Sequence, residues 1–128
     1  MENERAAEIM IGGHAYELIL TTGATKQIAK RYGGLASLGD KLMNAENFEN
    51  ALDELIWLIA LLANQSILIH NFQHPEDKLD PLTEETIELL TSPHDLAAYK
   101  DAIMESMFRG TKRYVESEPE PEKNALAG

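Results

Sequence analysis

The segment "DELIWLIALLANQSILIHNF", from Asp53 to Phe72, constrains the fold most, because from Leu55 to Ala63 it is apolar on every side of a helix. This run is far shorter than the roughly 20 apolar residues that cross about 30 Å of hydrocarbon. Asn64, Gln65, Ser66, His70 and Asn71 then interrupt the segment. So many polar groups inside one span would be costly without partners, and a membrane span is not expected. A helix without a polar face is a buried helix. In a small chain either the rest of the fold or other subunits must surround it.

A chain of 128 residues is expected to form one domain and to bury roughly two-thirds of its unfolded surface. Twenty-two acidic residues against eleven basic ones give a formal charge of −11. That charge opposes binding to nucleic-acid phosphate or to an anionic membrane, so the expected partner is protein. The chain contains no cysteine, which excludes disulfides, thiolate catalysis and sulfur-based zinc sites. "MENERAAEIM" has acidic and polar residues where a signal peptide needs a basic start and an apolar stretch. A cytoplasmic protein is expected.

"EIMIGGHAYELIL" reads as two strands around Gly12-Gly13, a pair suited to the positive φ angles of a two-residue hairpin turn. With that turn, Ile11 faces His14, Met10 faces Ala15, Ile9 faces Tyr16 and Glu8 faces Glu17. Ile9, Ile11, Tyr16, Leu18 and Leu20 then share the inner face. Met10, Ala15 and Ile19 lie on the other face, more apolar than full solvation requires. Those three are the expected partner-binding or oligomer residues, with edge pairing to a second chain as the expected mode.

"TTGATKQIAKRYGG" begins with capping threonines and ends on glycines, predicting a helix from about Thr22 to Tyr32. Leu35, Leu38 and Leu42 predict a second short helix ending near Asn44. The central helix is expected from about Ala45 to near Phe72, stopped by "HPEDKLDP". Thr83 caps the next helix, with glutamates in its first turn and Leu82 and Ile87 as a hydrophobic staple. Ser92 and Pro93 start the last, which carries Leu96, Tyr99, Ile103 and Met107 on one stripe. The fold class is thus mainly α with a small N-terminal β-hairpin (α+β), its helices packed around one long buried helix. Residues 1–115 form a single domain in this reading, and 116–128, "ESEPEPEKNALAG", a disordered acidic tail.

No catalytic constellation is expected. His70 and His74 have the helical spacing of a metal pair, but Asn71 follows His70 where a zinc protease has glutamate. Pro75 is expected to end the helix before His74 can align, so no metal is assigned. "LILTTGATK" lacks the Gly-Lys-Ser/Thr ending of a phosphate loop and is read as a capped strand-to-helix connection, with no cofactor. Lys26, Lys30 and Arg31 are expected on a solvated face near a helix C-terminus. Trp57 is expected as a core anchor, and Met10, Met43, Met104 and Met107 as core filler before an adaptable binding surface.

A strand ending "YELILTT", a helix, the apolar "LDELIWLIALLANQ" helix and the capped "LTEETIELL" helix follow one another in a specific order. From about Ile11 to Leu90 this order resembles the tail assembly chaperones of long-tailed bacteriophages and their prophage relatives. The strand exit from Leu18 to Thr22 is similar to that family's, and "KQIAKRYGG" stands where the family often has Leu-Glu. The resemblance implies a non-enzymatic, cytoplasmic protein that coats the tape measure protein before the tail tube polymerises around it, and a homo-oligomer. An acidic regulatory or antitoxin-like protein that blocks one folded partner is the alternative, and a small enzyme the third reading.

The tail offers no apolar periodicity to a core, so deleting residues 116–128 should leave the melting temperature nearly unchanged. A large drop in a thermal melt would show that this segment is ordered against the body.

Overall fold

The computed structural model describes residues 6–43 and 48–116. In chain order these form β1 (Ala6–Ile11), β2 (His14–Ile19), α1 (Thr22–Tyr32), α2 (Leu35–Met43), α3 (Phe48–Gln73), α4 (Glu84–Leu90) and α5 (Pro93–Glu116). The expected helix start at Ala45 lies outside the described residues. So does the acidic tail, except for Glu116, the last residue of α5.

The hairpin has the register that its turn demands. Gly12 and Gly13 adopt φ of 58° and 84°, the paired positive angles of a two-residue turn matched to strand twist. β1 and β2 pair antiparallel with Ile11 opposite His14, Met10 opposite Ala15, Ile9 opposite Tyr16 and Glu8 opposite Glu17. Ile9, Ile11, Leu18 and Leu20 are buried, and Tyr16 packs against the same core. Gly12 is constrained a second time, because a Cβ there would sit 2.8 Å from Leu90 Cδ1 at the end of α4.

Local capping chemistry sets the helix starts. Thr21 Oγ1 accepts from the Ala24 N–H at the head of α1, which ends in Gly33 at φ 90°. Thr83 does the same for α4 through the Thr86 N–H. Ser92 and Asp95 exchange backbone and side-chain bonds at 2.9 and 3.1 Å, a capping box with aspartate in the acidic position.

α3 is the centre of the molecule, in contact with β2, α5, α4 and α1. From Leu55 to Ala63 every residue is buried except Trp57 and Leu61, which are half-buried and four apart on one stripe. The chain itself therefore surrounds most of the apolar run. Leu58, Ile59 and Leu62 have no exposed surface, and each such burial stabilises by about 1.5–3 kcal/mol.

The polar residues that follow all have partners. Asn64 donates from Nδ2 to the Leu82 carbonyl at 2.8 Å and accepts the Leu82 N–H at 2.7 Å. One helix turn pair later, Asn71 treats Leu79 identically, at 3.1 and 2.8 Å. The Thr21 hydroxyl donates to Gln65 Oε1 at 2.5 Å, tying the head of α1 to α3. Ser66 bonds back to the Ala63 carbonyl, and a His70 ring nitrogen meets the Asp77 carbonyl at 2.8 Å. The loop between α3 and α4 has almost no backbone bonds of its own, so these side chains bind it down. By length and composition alone, Ala51–Gln73 is also long and apolar enough to cross a membrane.

Replacing Asn64 by Ala removes two bonds and orphans both backbone groups of the half-buried clamp, at about 1–3 kcal/mol for each group left unsatisfied. Asn64→Ala should lower unfolding stability by roughly 2 kcal/mol, read from the denaturation midpoint. Asn71→Ala, at an exposed clamp, should cost less. Equal losses for both variants would contradict this ranking.

Candidate functional site

The two strands have four edges of hydrogen-bonding groups between them, and one outer edge is open. Residues in an antiparallel pair alternate between bonded and non-bonded positions. The Tyr99 hydroxyl of α5 donates to the Met10 carbonyl, so that carbonyl points away from β2. Met10 and Ala15 are therefore a non-bonded pair, and so, two residues on, are Glu8 and Glu17. The N–H and C=O groups of Ala15 and Glu17 consequently face outward from β2. α5 contacts both strands and α3 contacts β2, but no hydrogen bond among the described residues reaches the outer edge of β2 at these positions.

That edge borders a groove of about 690 Å³. His14, Ala15, Tyr16 and Glu17 form one side, Ser66 and Ile67 of α3 the floor, and Leu79 and Asp80 of the α3–α4 loop the other side. Glu17 and Asp80 make it acidic, and among the described residues no lysine or arginine lines it. A second groove of about 350 Å³ lies where Leu52, Asp53 and Ile56 of α3 meet Glu88, Thr91 and the start of α5.

Of the residues expected to bind a partner, Met10 is 53% exposed and Ala15 is exposed, but Ile19 is only 1% exposed. Ile19 is thus buried, although it lies outside the main core cluster. Met10 and Ala15 remain together as a cross-strand pair. Alternation along the strands gave the face correctly but not its uneven cover. Leu68, Phe72, Leu79, Leu89, Leu90 and Phe108 are large apolar side chains that are also exposed, Phe72 at 87%.

Two further readings gain detail. Lys26, Lys30 and Arg31 are exposed as expected, and the Arg31 guanidinium also stacks over the Trp57 ring at 4.4 Å, with its Nε 3.3 Å from Glu54 Oε1. The Tyr32 hydroxyl donates to the same carboxylate, and its ring meets Trp57 edge-on at 5.9 Å. Burial first, and then the hydrogen bond to Glu54, push the Tyr32 phenol up to about 12. The histidine pair is also better aligned than Pro75 suggested, since the helical bond from the His74 N–H to the His70 carbonyl survives at 2.7 Å. The two rings stack with centroids 4.6 Å apart. Among the described residues no third ligand-type side chain joins a cluster that could hold a metal.

No protein-family model, curated protein or solved structure matches the chain. The chemistry open to this surface is therefore read from its own groups: strand addition at β2, apolar contact at the exposed leucines and phenylalanines, and attraction for cations.

A raised folded-state pKa means that Tyr32 contributes stability below its unfolded pKa of about 10, and loses it as pH rises toward 12. In an ultraviolet titration, Tyr32→Phe should remove a late-ionising phenol and leave the earlier ones in place. Loss of an ordinary phenol instead would contradict the buried Tyr32–Glu54 contact.

Proposed function

We propose that this chain is a tail assembly chaperone of a long-tailed phage or prophage, a non-enzymatic protein that binds the tape measure protein in the host cytoplasm. The tail tube protein is a further candidate partner. The observation that carries this reading is the set of large apolar side chains left exposed, Phe72, Leu89 and Phe108 foremost, on a body of charge −11. A contiguous exposed apolar patch marks a binding surface, and this reading takes Phe72, Leu89 and Phe108 as parts of one. The order of elements from Ile11 to Leu90 supplies the kind of partner.

The acidic surface favours neither nucleic acid nor an anionic membrane, and neither is part of the proposal. Self-association is part of it, through the exposed apolar side chains. The alternative is an acidic regulatory or antitoxin-like module, and the acidic groove beside β2 is the observation that favours it.

Co-expression with a tape measure fragment that is insoluble alone should keep the fragment in the supernatant. A Phe72→Asp, Leu89→Asp, Phe108→Asp variant should fold, by circular dichroism, yet lose most of this effect. A fragment that stays insoluble beside the unaltered chain would reject the chaperone reading.

A further inference from the structure

We propose that the groove beside β2 receives an extended, basic segment of a partner protein as the third strand of the sheet. Three observations converge on that occupant. First, Ala15 and Glu17 present outward N–H and C=O groups at alternate residues, the spacing with which one antiparallel strand reads another. The outward Met10 carbonyl of β1 is already taken by Tyr99, whereas the outward groups of Ala15 and Glu17 have no partner among the described residues, so addition is directed to β2. Strand addition of this kind draws affinity from main-chain bonds and selectivity from the side-chain pockets alongside.

Second, the groove gives an added strand two different surroundings. The exposed Leu79, beside the edge of the buried Ile67, offers an apolar contact, while Glu17 and Asp80 offer carboxylates. Successive residues of a strand point to opposite faces. The fitting segment therefore alternates apolar residues with lysine or arginine and has no proline at the positions that donate to β2.

Third, charge separates the possible occupants. A second copy would bring its own Glu17 to the edge and a further charge of −11, and the C-terminal segment of this chain, rich in glutamate and proline, suits the groove no better. Exposed strand edges are commonly guarded against aggregation by a charge, and Glu17 serves that end too. A guard alone needs no facing wall, whereas Asp80 and Leu79 supply one. This inference goes beyond the chaperone reading and does not rest on it, since the groove would serve an inhibitor equally well.

The test uses the full chain and a displayed library of random short peptides, with enriched sequences then synthesised and measured by fluorescence anisotropy. Enriched peptides should carry lysine or arginine at alternate positions. Their binding should slow amide exchange at Ala15 and Glu17, and a Glu17→Lys, Asp80→Lys variant should weaken it by about tenfold or more. Ala15→Pro removes an outward N–H that the hairpin itself does not use, and should abolish binding; if it unfolds the chain, the charge-reversed variant decides. No enriched pattern, an acidic or helical one, or undiminished binding to the charge-reversed variant would overturn the proposal. So would a sedimenting dimer that Ala15→Pro dissolves, because it would place a second copy in the groove. Tape measure solubilisation is not among these readouts, so the two proposals fail separately.

Discussion

Asn64 grips both backbone groups of Leu82, and much of the fold hangs from that contact. α3 can be apolar around its whole circumference only if other elements cover each side, and its two C-terminal neighbours, α4 and α5, are reached through an irregular loop. Such a loop has backbone groups to satisfy and little to hold it in place. Two asparagines seven residues apart on one face of α3 act in place of a partner strand, each offering a donor and an acceptor to one backbone unit. Fixing Leu82 sets the residue before the Thr83 cap, and Leu82 and Ile87 are then buried together. α4 starts in the right place, and Ser92 launches α5 back across the sheet to Met10.

Features governed by near neighbours were legible in the sequence. The Gly12-Gly13 turn fixes the strand register, and Thr21, Thr83, Ser92 and Gly33 mark helix ends, because each acts within about four residues of itself. The polar group from Asn64 to Asn71 could be seen but not explained. Its partners lie across a loop whose path follows from no local rule. Arg31 is exposed as its helix position suggests, but its partners Trp57 and Glu54, more than twenty residues on, follow from no local rule either. Ile19 failed differently. Strand alternation names two faces, and it cannot tell that one end of the outer face is covered while the other is open.

The open edge was legible only in part. Alternation placed Ala15 on the exposed face and raised edge pairing, but which strand stays free depends on where α5 runs. A tyrosine 89 residues from Met10 bears on that, since the Tyr99 hydroxyl takes the Met10 carbonyl. Burial, with Asp95 nearby, raises the Tyr99 phenol above its usual value. It therefore stays protonated, and able to donate, across the range in which the protein would work. The outward Met10 carbonyl of β1 is thereby taken, while the outward groups of Ala15 and Glu17 in β2 have no hydrogen-bond partner among the described residues.

The second asparagine clamp shapes the groove. Leu79 lines the wall opposite β2, and its N–H and C=O are both held by Asn71. That wall is part of an irregular loop, which without the clamp would have to be ordered when a ligand arrives. Ordering a loop on binding costs affinity, and a site fixed beforehand avoids that cost. The floor is fixed as well, because Ser66 and Ile67 belong to α3, which packs against β2, α5, α4 and α1. A strand entering the groove thus meets a rigid floor, a tethered wall and an edge already in β geometry. Folding has done the ordering, so the main-chain bonds at Ala15 and Glu17 can act almost undiminished.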